Sequence, residues 1–296
     1  MDYKSVVKAV NEILSQYSMP LTLRQIYYRL VSTPYMLFPN KRSSYGQLSK
    51  ILVKARENEE VDDTRIEDRT REVLGGDSPF TSPDMYLQTK IASLGDNYYR
   101  RAVWQDQPQY VEVWVEKDAL SRVISQISDK YRVVTAPSKG YGSYTYLKRM
   151  AIDERFSRTG KPIVVLDFRD HDPSGLQMTQ DLENRLVRYA DPGADITVKR
   201  IALTIEQVRQ YQLEPNPVKM ADPRALLYRA EYGETCWELD AVEPNELQKI
   251  VETAILAEID MDAWRATADR EAREHDELYS KLRKLAKKAK TWIEDL

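Results

Sequence analysis

Hydrophobic positions in the first sixty residues recur with helical spacing. Val6, Val7, Val10, Ile13 and Leu14 fall on one side of residues 4–16, as an amphipathic helix requires. Ser-Met-Pro at 18–20 ends that pattern, and Thr22 stands as the N-cap of a second helix, LRQIYYRLV. Residues 45–57 predict a third helix carrying Leu48, Ile51, Leu52 and Ala55. Three short helices of this kind suit a helix-turn-helix or winged-helix DNA-binding module. Residues 74–84 (LGGDSPFTSPD) form a turn-rich break, and the stretch from there to about 107 reads only as a connecting region.

The pattern changes at residue 111. VEVWV and PIVVLDF, the latter apolar until its end, read as strands, and so do YRVVT and DITVKRIAL. ALSRVISQI, residues 144–155 and GLQMTQDLENRLVRY lie between them with helical periodicity. Strands alternating with helices at this spacing predict βαβ units and a mainly parallel sheet. Beyond 246 the chain is helical again, with one stripe through Leu247, Ile250, Val251, Ala254 and Ile255. A second runs through Leu278, Leu282, Leu285, Ala289 and Trp292. The expected organisation is an N-terminal module with its connecting region over 1–107, an α/β domain over 108–240 and a helical extension over 241–296.

Composition narrows the chemistry. With 42% hydrophobic and 31% charged residues, the chain has the balance of a folded globular protein. No stretch approaches the roughly 20 apolar residues of a membrane span. The single cysteine, Cys236, excludes an internal disulfide and a thiolate zinc site, and two histidines argue against a histidine-rich metal site. The expected location is a reducing cytoplasm. Any metal is then held by oxygens, which favours Mg²⁺ or Mn²⁺ over Zn²⁺. The net charge of −3 speaks against nucleic acid, but its distribution does not. Residues 1–56 hold nine Lys or Arg, Lys41 and Arg42 among them, against two acids, Asp2 and Glu12. Lys281, Arg283, Lys284, Lys287, Lys288 and Lys290 form a second basic run, which reads equally well as a solvated helix face. Local basic surfaces of this kind bind phosphate whatever the total charge.

In a parallel sheet, functional residues collect at the carboxyl ends of the strands. Glu116 ends VEVWV, Asp167 and Asp170 lie at or just past the end of PIVVLDF, and Asp172 follows two residues on. Asp170 and Asp172 can point to one side of a loop and, with Glu116, form an oxygen cage suited to Mg²⁺ and phosphate. Pro173 and Gly175 restrict that loop. Single acids at strand ends are usually solvated; this set, fed by an apolar strand, favours the metal-site reading. Lys117 and Lys139 are candidate phosphate contacts.

These residues carry a family resemblance. VEKDALSRVI, SKGYGSYTYLKRM and DHDPSGLQM resemble, in order, the three signature blocks of the Toprim domain. The variant is that of the A subunit of type IIB topoisomerases (topoisomerase VI) and its meiotic double-strand-break relatives. The resemblance covers roughly residues 20–180. It implies a winged-helix (CAP-like) domain followed by a Toprim domain, with Glu116, Asp170 and Asp172 binding Mg²⁺. Phe168 and Arg169 stand between the strand end and the first family aspartate, which leaves Asp167 without an assigned role. Toprim blocks also occur in nucleases and primases, so alone they specify metal-dependent phosphodiester chemistry.

LTLRQIYYRLV extends the resemblance, because the family carries its nucleophile in a Thr-x-Arg-x-Ile-Tyr-Tyr segment. Leu23, Ile26, Tyr27 and Leu30 form one helical stripe, so Tyr27 is expected to pack inward. Tyr28 is turned about 100° away and shares a face with Arg24, an exposed phenol beside a guanidinium. The family's catalytic position is also the second tyrosine. The resemblance therefore implies that Tyr28 attacks a DNA phosphodiester with Arg24 beside it, and that the site is shared between the chains of a homodimer. Only about twenty residues precede the tyrosine helix, and no Gly-rich phosphate loop is present. A stand-alone relative is expected, with strand passage by an ATPase B-type subunit disfavoured.

Two alternatives stay open: a Toprim nuclease that uses water, and a non-catalytic double-stranded DNA-binding protein. In IEDRTRE (66–72), Arg69 and Arg71 are DNA contacts or members of an ion-pair cluster. In WELDAV (237–242), Glu238 and Asp240 are extra metal ligands or parts of a turn, and the turn is preferred. His171 is a possible phosphate donor, and His275 reads as solvated.

Overall fold

A computed structural model of the chain describes residues 2–67, 82–93, 99–138, 144–152, 156 and 160–294. The chain divides into two compact units. One comprises Met1–Arg71 with Gln109–Glu258, the other Glu72–Pro108 with Ile259–Leu296. This partition differs from the three consecutive segments expected from sequence: the N-terminal helices and the α/β region belong to one unit.

In that unit, α1 (Tyr3–Ser15), α2 (Leu23–Val31) and α3 (Arg42–Glu57) enclose a core that includes Val6, Val10, Ile13, Ile26, Leu30, Leu48 and Leu52. Thr22 caps α2 as expected, and Gln25 reaches back to the Thr22 backbone to complete a capping box. Helix α3 begins three residues earlier than the sequence suggests, at Arg42, with Lys41 at its N-cap. A two-stranded parallel ribbon, β1 (Leu21–Thr22) with β2 (Ile66–Glu67), closes this part.

The α/β part is a four-stranded parallel sheet in the order β4-β3-β5-β6: β3 Tyr110–Val115, β4 Val134–Pro137, β5 Ile163–Phe168, β6 Ile196–Ala202. The central strands β3 and β5 are buried at every position, which explains their unbroken apolar runs. Strand β4 starts three residues later than YRVVT suggests. Residues 129–131 form a 3-10 turn, and Arg132 is left-handed at φ +56°. Helices α5 (Asp118–Ser128), α6 (Tyr144–Ile152), α7 (Pro173–Tyr189) and α8 (Ile205–Gln210) accompany the strands. A short antiparallel pair, β7 (Asn216–Pro217) with β8 (Thr235–Cys236), flanks α9 (Ala225–Tyr232). Helix α10 (Pro244–Leu256) completes the unit.

The second unit contains α4 (Pro83–Ser93), which falls in the unassigned connecting region, and the long α11 (Met261–Glu294). Arg101 and Tyr99 both bind Glu274 of α11. Among the described residues no helix is long and apolar enough to cross a membrane.

Candidate functional site

The site forms where β3 and β5 end side by side. The Glu116 amide donates to the Phe168 carbonyl at 3.0 Å, which sets Glu116 beside the start of the Arg169–Asp172 loop. His171 and Trp237 exchange backbone hydrogen bonds at 2.9 Å, and this bridge draws residues 237–240 onto the same loop. The Leu239 amide then donates to Asp170 Oδ1 at 2.8 Å. Glu238 and Asp240, read from sequence as turn residues, are thereby brought to the carboxylate centre, Glu238 as the N-cap and Asp240 as the middle residue of a 3-10 turn at Leu239–Ala241.

Lys117 is the hub. Its ammonium lies 2.8 Å from Asp170 Oδ2, 2.7 Å from Asp240 Oδ2 and 3.2 Å from Glu238 Oε2. Burial works against its charge, but Asp240, Asp170 and Glu238 outweigh that and hold its pKa well above the ordinary lysine value. Burial pushes the Asp170 carboxyl up to about 7, with Asp240, Glu238 and Glu116 adding to the rise and Lys117 opposing it. For Glu238 burial acts upward, and Lys117 and Arg24 together bring the carboxyl below its usual range. Glu116 is raised chiefly by burial. Its Oε2 is buried with no hydrogen-bond partner, and so is Asp240 Oδ1. These are costly positions for carboxylate oxygens.

The three expected ligands are not equally placed. Glu116 and Asp170 stand at neighbouring strand ends. Asp172 caps α7 instead, its Oδ1 accepting from the Gly175 amide at 2.6 Å. Among the described residues no three His, Cys, Asp or Glu side chains form a ready-made ligand group. The Lys117 ammonium, expected as a phosphate contact, is engaged by Asp170, Glu238 and Asp240. Lys41 and Arg42 are exposed. Lys139, and Arg69 and Arg71, lie outside the described residues.

Asp167, unassigned by sequence, is fully buried and carries the Arg169 guanidinium, with Nε 2.7 Å from Oδ2; Thr179 Oγ1 also donates to Oδ2 at 2.7 Å. Arg169 continues to Ser138, so this pair braces the sheet behind the site. His171 is buried, and its Nδ1 lies 2.8 Å from the Tyr228 hydroxyl within a ring of Tyr228, Tyr232 and Trp237. It holds the loop and is not presented to phosphate. Cys236, beside this ring, has its thiol pushed up to about 11 by burial and by the carboxylates of Asp172, Glu238 and Asp170.

The tyrosine pair departs from expectation in one respect. Tyr27 packs inward at 4% exposure, but Tyr28 is buried too, at 2%. The face of α2 that the helical stripe leaves open is covered by chain from far downstream. Asn216 Nδ2 donates to the Tyr28 hydroxyl at 3.0 Å, and Arg29 of α2 binds the Ala241 carbonyl. Arg24 shares this face as expected, and its guanidinium pairs with Glu238. Burial, then Glu238, raises the Tyr28 phenol pKa, while Asn216, Arg24 and Lys117 pull it down. Tyr28 is therefore within electrostatic reach of the carboxylate centre of its own chain. Neither a comparison with protein-family models nor one with curated proteins gives a match to this sequence.

Proposed function

We propose that this chain cuts the DNA backbone by transesterification, with Tyr28 as nucleophile and the carboxylate centre at the ends of β3 and β5 as the site of a divalent cation. One observation carries the reading: on α2, which bears Tyr28, Arg24 pairs with Glu238, Glu238 pairs with Lys117, and Lys117 pairs with Asp170. The four-stranded parallel sheet with acids after two adjacent strands supports a Toprim-type assignment, and the basic, three-helix N-terminal region supports a winged-helix-type one.

The residues fit a hard cation. The donor set is all oxygen, and Glu116 Oε2 and Asp240 Oδ1 are buried acceptors without partners. Glu116, Asp170 and Asp172 would hold Mg²⁺ or Mn²⁺, which when bound offsets negative charge on the phosphate oxygens. The Tyr28 oxygen forms a bond to phosphorus as the bond to the 3′ oxygen breaks. The phenol gives up its proton, and the departing oxygen takes one to become a 3′-hydroxyl. Arg24 favours the phenolate by its charge. The phosphoester bond is conserved in the tyrosyl link, so resealing needs no ATP. The proposed site lies within one chain, unlike the shared site that the resemblance implies.

A second reading has its own support. The burial and raised pKa of Tyr28 favour water as nucleophile and a structural role for the phenol. Covalent trapping separates the two. End-labelled duplex DNA is incubated with the protein and Mg²⁺ or Mn²⁺, then quenched with denaturing detergent. Label migrating with wild-type protein, and lost in Tyr28→Phe and Glu116→Ala, is the expected result. Cutting without attached protein that survives Tyr28→Phe would assign a nuclease. Absence of cutting would leave a DNA-binding role, read by a mobility shift.

A further inference from the structure

The carboxylate centre already holds a cation of its own making. The three N–H groups of Lys117 face Asp170, Glu238 and Asp240, and the Asp240 side chain is fully buried. Buried carboxylates stay ionised only beside a compensating charge, and one ammonium here compensates several. It does so incompletely. An ammonium offers three donors, and Asp240 Oδ1 and Glu116 Oε2 are left buried without a partner. A divalent cation carries twice the charge and takes about six oxygens.

We propose that Lys117 is an internal counter-ion that a divalent cation displaces, and that Asp240 then becomes an oxygen ligand alongside Asp170. This rests on the metal-site reading above and adds a competitor and a ligand to it. Lys117 is built to leave. A quarter of its side chain is exposed, its four-carbon stem is flexible, and its backbone is fixed as the N-cap of α5, so only the ammonium moves. Two cations cannot share one set of acids, so lysine and divalent ion exclude each other. The displaced ammonium is then free to meet a DNA phosphate beside the metal.

The test is Mn²⁺ binding to the full chain without DNA, read by the paramagnetic resonance of free Mn²⁺ and by the thermal midpoint. Lys117→Met keeps the bulk and removes the competitor; its affinity for Mn²⁺ is expected to rise about tenfold or more, with a larger metal-induced rise in midpoint than in wild type. Asp240→Asn is expected to bind Mn²⁺ about tenfold more weakly. Unchanged or weaker binding by Lys117→Met, or unchanged binding by Asp240→Asn, overturns the proposal. If Lys117→Met is unfolded without metal, recovery on refolding in Mn²⁺ is the supporting result. If it folds in neither condition, Asp240→Asn decides. Glu116→Gln separates the two levels. Wild-type binding lost in Glu116→Gln keeps the metal site even where the lysine proposal fails, and no binding in any variant retires both.

Discussion

Arg24 and Glu238 meet across 214 residues of chain in a two-pronged ion pair: Nη2 donates to Oε1 at 2.7 Å, and Nε lies 2.6 Å from Oε2. Glu238 also faces Lys117, so charges alternate from Arg24 through Glu238 and Lys117 to Asp170. Helix α2 is thereby registered against the carboxylate centre. Because 42% of the Arg24 side chain is exposed, solvent screens the pair. A double-mutant cycle with Arg24→Ala and Glu238→Ala is expected to give a coupling of about 1 kcal/mol in chemical denaturation. Arg24→Lys should recover little of it, since a lysine cannot present the fork. A coupling indistinguishable from zero would detach α2 from the site.

Gly175 fixes the Asp170 loop by close approach. A Cβ there would lie 2.2 Å from the Asp170 carbonyl oxygen, a backbone atom that cannot rotate away. Gly175→Ala should therefore cost about 2 kcal/mol of stability, as an overpacked position does, and should weaken Mn²⁺ binding as the loop shifts. An unchanged denaturation midpoint would show that the loop gives way freely.

The two tyrosines of α2 should separate stability from chemistry. The Tyr27 hydroxyl accepts from the Lys41 amide at 2.9 Å and faces the Pro39 and Lys41 carbonyls at 3.1 and 3.0 Å. Tyr27→Phe strands those groups and should cost about 1–2 kcal/mol while leaving covalent trapping intact. Tyr28→Phe loses one hydrogen bond from Asn216, about 1 kcal/mol, and should lose trapping altogether. Trapping that survives Tyr28→Phe but not Tyr27→Phe would move the nucleophile.

What was legible in the sequence follows from the range of the forces involved. The central strands announced themselves because β3 and β5 are buried on both faces and therefore apolar throughout, while β6 shows buried positions among exposed or half-buried ones such as Lys199 and Arg200. Helix α2 was legible from its cap and stripe. The exposure of Tyr28 was not, because a single stripe assumes one covered face, and the second cover comes from Asn216 and the chain near Ala241. The roles of Glu238 and Asp240 were hidden for the same reason: their partners, Arg24 and Lys117, are more than a hundred residues away. Asp172 had a local signal, since Asp-Pro-Ser-Gly is an N-cap pattern, and that pattern competes with its reading as a free ligand. Lys117 as the counter-ion was not readable from spacing at all.

Buried phenols set the alkaline limit of the fold. Tyr17, Tyr28 and Tyr228 are 5%, 2% and 4% exposed, and burial is the first cause that raises each pKa above the ordinary value near 10. A group whose folded pKa is raised keeps its full contribution below the unfolded value. It loses that contribution as pH climbs from there through the folded value, because the unfolded chain releases the proton first. Stability should therefore hold up to about pH 10 and fall steadily above it. Denaturant titrations at a series of alkaline pH values measure the slope, and phenolate absorbance should show these three rings ionising only as the chain unfolds. Tyr17→Phe removes one of the three and should make the fall shallower, with little change in stability near neutrality beyond the hydroxyl's own contacts. A stability that stays level well above pH 10 would mean that the rings are hydrated in solution, and the packing of Tyr28 against Asn216 would fall with it.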